Sequence, residues 1–141
     1  MYLTGRHLSD NTIFMQVYST TSNDWVTQSD IKFPYSINDA MTCQCYNKFC
    51  YYFGGNDNGK TNIIQQYDIA NNEWSILDAV TSINPIGGTS ILDNGLIYII
   101  GGRCGNFGCR QTNIFDANSK SVIVPNGTLN TNRSESVVVI Y

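Results

Sequence analysis

Asn94-Gly95-Leu96-Ile97-Tyr98-Ile99-Ile100-Gly101-Gly102-Arg103 reads as a turn, a strand and a break. Asn94-Gly95 suits a type I′ turn, whose two central residues both need positive φ. Leu96 to Ile100 is a short run of branched apolar and aromatic side chains, the length of one buried strand. Gly101-Gly102 ends the strand where the backbone needs freedom, or an approach so close that a Cβ would obstruct it. Such a strand is half of a hairpin, and the hairpin recurs along the chain.

The recurrence has a fixed period. Gly54-Gly55 returns 47 residues later as Gly101-Gly102, and Trp25 returns 49 residues later as Trp74, with Val122 a further 48 on. Tyr18, Tyr67 and Phe115 keep the same spacing, each seven residues before its Trp or Val. Three markers on one period define a structural repeat. Each unit divides into four short strands. One unit has Gly88 to Leu92, Leu96 to Gly101, Thr112 to Asp116 and Ser121 to Val124. The preceding unit has Met41 to Tyr46, Phe49 to Gly54, Ile63 to Asp68 and Trp74 to Leu77. The chain opens inside a unit, at Tyr2 to Gly5, followed by Ile13 to Tyr18 and Trp25 to Gln28. There Tyr2-Leu3-Thr4-Gly5-Arg6 parallels Ile99-Ile100-Gly101-Gly102-Arg103. It closes with Ser136 to Tyr141, a first strand whose partner would lie beyond it.

Composition agrees with an all-β chain. Of 141 residues only 13% are charged and 12% are aromatic, with 12 glycines to supply turns. Eight Lys and Arg against eleven Asp and Glu give a net charge of −3 with no basic cluster, which argues against nucleic acid as a partner. No apolar run reaches the ~20 residues that span a bilayer, and Met1 to His7 lacks the apolar core of a signal peptide. Cytoplasmic and extracellular settings both stay open.

One antiparallel four-stranded sheet per repeat is the pattern of a β-propeller blade. The sequence resembles kelch repeats, whose signature is a double glycine after an apolar strand, then a Tyr with a Trp seven residues later. Tyr52-Phe53-Gly54-Gly55 with Tyr67 and Trp74 carries it, as does Ile99-Ile100-Gly101-Gly102 with Phe115. The departures are Thr4-Gly5, Phe115 and Val122. The resemblance implies a single kelch-repeat propeller segment over 1–141, with blades at about 41–77 and 88–124 and remnants at 1–28 and 135–141. Propellers close with roughly four to eight blades, and this chain holds about three blade-equivalents. It is then either a fragment of a longer propeller or half of a six-bladed ring closed by a homodimer. In the second case Ser136 to Tyr141 of each copy would pair with Tyr2 to Gly5 of the other.

Chemistry-bearing residues are sparse. If Asn47-Lys48 is a two-residue turn, Cys45 faces Cys50 at disulfide range. Both align with apolar Leu92 and Ile97, so the preferred reading is a pair of buried, unbonded apolar residues. Cys104 and Cys109 flank a four-residue loop that a disulfide would staple, as suits a secreted protein. A structural zinc site wants four ligands, and only one pair is near. The odd number of cysteines, five, leaves at least one unpaired within the chain. His7 stands alone, too little for the copper site of the galactose oxidase group. Gly54 to Thr61 matches the phosphate-loop pattern by letter, but strand-like Ile63-Ile64 follows where that loop needs a helix. Asp57, Lys60, Arg103 and Arg110 lie between second and third strands; Asp30, Asp39, Asp78 and Arg133 lie between units. No acid–base pair or nucleophile motif recurs among them.

Neither a cofactor nor a metal is expected, nor a catalytic residue. Asn126-Gly127-Thr128 and Asn132-Arg133-Ser134 fit the N-glycosylation pattern. The Trp and Tyr markers read as packing between neighbouring sheets. Kelch resemblance implies a non-catalytic module that binds a protein or peptide, an acidic one if Arg103 and Arg110 read it, with Phe107 as an aromatic anchor. The alternative is a fragment of a galactose oxidase-like or carbohydrate-active propeller whose active-site residues lie outside this segment.

Overall fold

A computed structural model describes residues 2–6, 13–28, 42–54, 61–104 and 106–140, and all their regular structure is antiparallel β. Strands β1 (Tyr2–Arg6), β2 (Ile13–Ser19) and β3 (Asp24–Gln28) form a three-stranded sheet in that order. A second sheet runs β4 (Thr42–Tyr46), β5 (Phe49–Phe53), β6 (Ile63–Asp68) and β7 (Glu73–Val80), again in chain order. The third begins with β8 (Thr89–Asp93) and β9 (Leu96–Ile100). A two-stranded ribbon, β10 (Arg103–Cys104) and β11 (Phe107–Gly108), then intervenes before β12 (Thr112–Asp116) and β13 (Ser121–Ile123) complete that sheet.

The turns take the conformations their residues favour. Asn94 (φ 48°) and Gly95 (φ 82°) are both left-handed, as a type I′ hairpin requires. A wider turn joins the third and fourth strands of each repeat, closed by left-handed Asn23, Asn72 and Lys120 (φ 55°, 57° and 56°). Asp68 Oδ1 accepts from the N–H groups of Ala70 (2.9 Å) and Asn71 (3.2 Å). Asp116 Oδ1 accepts likewise from Asn118 (2.8 Å) and Ser119 (3.3 Å). Ser19 Oγ does the same for the Ser22 N–H at 3.2 Å. These are side-chain turns that only short polar residues can make. The Asn118 N–H, foremost, and Ser119 hold the Asp116 carboxyl below its ordinary value. Desolvation pulls Asp68 upward, but Asn71, Ala70 and the Lys48 charge together outweigh it and leave this carboxyl lowered too.

Packing is organised on β5, whose two faces are both buried. Tyr51 and Phe53 join Ile64, Ile97, Ile99, Phe115 and Ala117 in a core between the second and third sheets. Cys50 and Tyr52 join Met15 and Tyr67 in a core between the first and second. Phe115 sits 4.8 Å from the Tyr51 ring and 5.6 Å from Phe53, and Trp74 lies against Tyr52 (4.9 Å) and Tyr67 (5.1 Å). Alternation along a strand puts the Tyr and Trp markers on the face turned to the preceding sheet. For the first sheet no preceding sheet exists among the described residues. Trp25 packs on Tyr18 and stays 39% exposed, short of the between-sheet burial expected of it.

The structure corrects four details. Thr4 pairs Met15 as Phe53 pairs Ile64 and Ile100 pairs Thr112, so Gly5-Arg6, not Thr4-Gly5, occupies the double-glycine position. Cys45 and Cys50 are joined in a disulfide rather than left as apolar neighbours: directly opposed beside the two-residue turn, their Cα atoms lie 3.9 Å apart. The fourth strand of the second sheet runs on to Val80, past a register shift between Ile63 and Gln65, and so includes Asp78. Finally, residues 136–140 form no strand, because no described strand lies beside them to complete a ladder; Tyr141 lies outside the described residues.

A covariation links the turns to the core. Tyr67 donates its hydroxyl to Oδ1 of Asn72 at 2.6 Å, and Tyr18 donates to Asn23 in the same way. In the third repeat Phe115 has no hydroxyl and Lys120 no acceptor, so both halves of the bond are missing together. Lys120 instead sets its ammonium 4.8 Å from the Phe49 ring centre. Phe115→Tyr alone should strand a buried hydroxyl and cost about 1–3 kcal/mol, whereas Phe115→Tyr with Lys120→Asn should recover about 1 kcal/mol or more of that loss. Denaturant titration of the four proteins measures the coupling, and additive effects would refute it.

The lowered carboxyls make a second prediction. A folded-state pKa below the unfolded one gives stability that is complete above the unfolded value, ~3.9, and lost as pH falls through the folded one. Asp116→Asn keeps the acceptor but does not titrate. Its thermal midpoint should therefore fall less steeply than the parent's below about pH 4. Parallel curves would show that Asp116 contributes nothing to the acid limb.

Candidate functional site

The double glycine delivers the chain into the β10–β11 ribbon. Gly101 and Gly102 have φ of 70° and 108°, and a Cβ would sit 2.6 Å from the Arg133 carbonyl oxygen on the first and 2.5 Å from that of Asn84 on the second. That bare backbone lets two distant segments close in. Gly102 N–H donates to Arg133 O (3.0 Å), Arg103 N–H to Asn84 O (3.0 Å) and Arg133 N–H to Cys109 O (2.8 Å). The ribbon itself has two residue pairs, Arg103 with Gly108 and Cys104 with Phe107, and a Cys104–Cys109 disulfide closes its base. At its tip Phe107 is 74% exposed.

Two clefts flank Phe107. One, of about 310 Å³, is lined by Cys104, Phe107, Cys109, Arg110 and Asn132 among others. The other, of about 320 Å³, is lined by Arg103, Asn106, Phe107, Ser134 and Glu135 among others. The three residues singled out from the sequence thus surround one hairpin, but the arginines serve different clefts. Arg103 shares its cleft with the Glu135 carboxylate, whereas Arg110 is the charged residue lining the first. Arg110 is also held: its Nε–H donates to Leu129 O at 2.6 Å, and Leu129 N–H donates back to Arg110 O at 2.8 Å. A guanidinium pinned by Nε still offers two terminal amino groups to a carboxylate.

Arg133, Glu135 and Leu129 escaped the sequence reading of this site. They come 20 or more residues after the ribbon, and only the returning backbone reveals them. Asn126 and Asn132 are both exposed, and Asn132 lines the Arg110 cleft, so a glycan there would fill it. His7, Asp30, Asp39, Asp57 and Lys60 lie outside the described residues. After Gly54 and Thr61, the described ends of the phosphate-loop match, comes strand β6. Among the described residues no three His, Cys, Asp or Glu side chains gather as metal ligands, and no helix is long and apolar enough to cross a membrane. Cys43 is the free cysteine; burial pushes its thiol up to about 12, so it is no nucleophile at neutral pH.

Neither a protein-family model nor a curated protein matches this sequence. Among solved structures, one titled "Structure of YjhT" is similar, with a TM-score of 0.73 at 16% identity, over 94% of this chain and 50% of that one. The chain therefore spans about half the length of that structure, and the likeness is one of fold.

Opening the staple should loosen the tip specifically. Cys104→Ser with Cys109→Ser frees a loop whose closure is worth about 2 kcal/mol by chain entropy. Amide exchange at residues 106–108 should quicken at least tenfold, while β5 and β9 stay protected. Unchanged exchange at the tip would mean that the two ribbon pairs suffice to hold it.

Proposed function

We propose that this chain is a non-catalytic interaction module, built of kelch-like repeats whose four-stranded sheets are blades of a β-propeller. Its ligand is a protein or peptide with acidic and apolar side chains, taken at the stapled ribbon. The observation that carries the reading is Phe107, held out at the tip of a disulfide-closed hairpin beside a cleft whose charged group is the anchored Arg110. An exposed aromatic costs water structure unless something covers it, and aromatic and Arg side chains dominate interface energetics. A tip fixed in advance lowers the ordering cost of binding. The repeated four-stranded sheets support the propeller part of the reading. Two disulfides favour an oxidising compartment as its place of work.

A peptide array scanning acidic against neutral and basic sequences tests this directly. Bound peptides should be enriched in Asp and Glu next to an aromatic or aliphatic residue. Phe107→Ala and Arg110→Glu should each weaken the best of them by about tenfold or more, or 1.4 kcal/mol. Arg103→Glu should matter less, since Glu135 already lines its cleft. Binding without acidic preference, or indifferent to Phe107, would refute the reading.

A further inference from the structure

Asn-Gly occurs three times in this chain, at Asn58-Gly59, Asn94-Gly95 and Asn126-Gly127. The pair has a chemistry of its own, because the nitrogen after the asparagine belongs to a residue with no hindering side chain and can swing onto the side-chain amide. Asn58-Gly59 lies outside the described residues, and the other two sit in opposite surroundings. Asn94-Gly95 is the type I′ turn between β8 and β9, with Asp93 paired to Leu96 directly behind it. Asn94 donates Nδ2–H to Asp93 Oδ1 at 2.8 Å, and Gly95 O accepts from the Ala117 N–H at 2.9 Å. Gly95 is buried, and a Cβ on it would meet Asn118 Nδ2 at 2.8 Å and Tyr46 Cζ at 3.2 Å. To bring the Gly95 nitrogen onto Asn94 Cγ, this peptide unit would have to leave the turn and break those contacts.

Asn126-Gly127 has none of them. It follows β13 in a segment without regular structure, where Asn126, Gly127 and Thr128 are all exposed. A Cβ built on Gly127 would meet nothing within 4 Å, and among the described residues neither Asn126 nor Gly127 has a hydrogen-bond partner. Exposed segments with so few contacts rearrange at little free-energy cost.

We infer that Asn126 is a site of spontaneous deamidation in the folded protein, and that the turn at Asn94 is protected from the same reaction. The Gly127 nitrogen attacks Asn126 Cγ, forming a C–N bond as the Cγ–Nδ2 bond breaks, and the Gly127 proton leaves with Nδ2 as ammonia. The cyclic imide then takes up water. Addition at Cγ gives aspartate and addition at the backbone carbonyl carbon gives isoaspartate, with no oxidant or reductant involved. Either product has lost Nδ2, the atom to which a glycan at the Asn126-Gly127-Thr128 triplet would be joined. Either also places a carboxylate three residues before Leu129, which clasps Arg110. The reaction itself is independent of the peptide site on the ribbon.

Peptide mapping by mass spectrometry of protein made without glycans, sampled as it ages at neutral to mildly alkaline pH, reads each asparagine separately. An isoaspartate-specific methyltransferase marks the isoaspartate product. In the folded protein Asn126 should convert about tenfold faster than Asn94 or more, since reaction at Asn94 waits on opening of the hairpin. In urea, where both pairs are free, the two rates should come together. Gly127→Val hinders the attacking nitrogen and should suppress conversion at Asn126 while melting like the parent, because a Cβ there enters open space. Equal rates at the two sites in the folded protein overturn the inference, as does an Asn126 that stays intact. A difference that persists undiminished in urea overturns it too, since neighbouring sequence and not the fold would then set it.

Discussion

Everything else in the structure depends on β5 being buried on both faces. Tyr51 and Phe53 point one way and Cys50 and Tyr52 the other, and each pair anchors a different core. A strand of this kind cannot exist in a single sheet exposed to water on one side; it requires a sheet above and a sheet below. The stacking of three sheets is thus a consequence of five consecutive apolar and aromatic residues, Phe49 to Phe53. Where stacking stops, burial stops with it. Trp25 occupies the position of Trp74 in the repeat yet is the more exposed of the two, since no described sheet covers the face of its sheet away from the second sheet.

The repeats are held locally by two devices that vary for physical reasons. The turn between third and fourth strands needs a short polar acceptor at its start, met by Ser19, Asp68 and Asp116. It also needs a left-handed residue at its end, met by Asn23, Asn72 and Lys120. Where a tyrosine reaches that last residue, an asparagine receives its hydroxyl. Where phenylalanine replaces tyrosine, lysine can stand instead and find a neighbour in Phe49. The second device is the glycine pair after the second strand. On the third sheet it admits the carbonyls of Asn84 and Arg133 to within reach of the backbone, and the ribbon that carries Phe107 grows from that junction.

The candidate site follows from this junction rather than from any motif. Phe107, Cys104, Cys109 and Arg110 are close in sequence, so a stapled loop with an aromatic tip was legible in advance. The two clefts beside it were not, because part of their walls arrives with Asn132, Ser134 and Glu135. Their presence separates the arginines chemically: Glu135 occupies the neighbourhood of Arg103, whereas Leu129 clasps Arg110 without neutralising it.

The strands of the three repeats, their hairpins and the repeat itself were determined by the sequence alone, to within one to three residues at most strand ends, whereas the short β10–β11 ribbon read only as a loop. Side-chain alternation, Asn-Gly turns and Asp-capped turns act over two to five residues and need no tertiary context. Three other features were decided by the tertiary structure. The disulfide of Cys45 with Cys50 depends on two strands being directly opposed, which the aligned Leu92 and Ile97 masked. The one-residue shift that makes Gly5-Arg6 the counterpart of the glycine pair is visible only in strand register. Residues 136–140 have the composition of a strand and are not one here. A strand is a property of two chains of hydrogen-bonding groups, and no sequence of five residues contains its own partner.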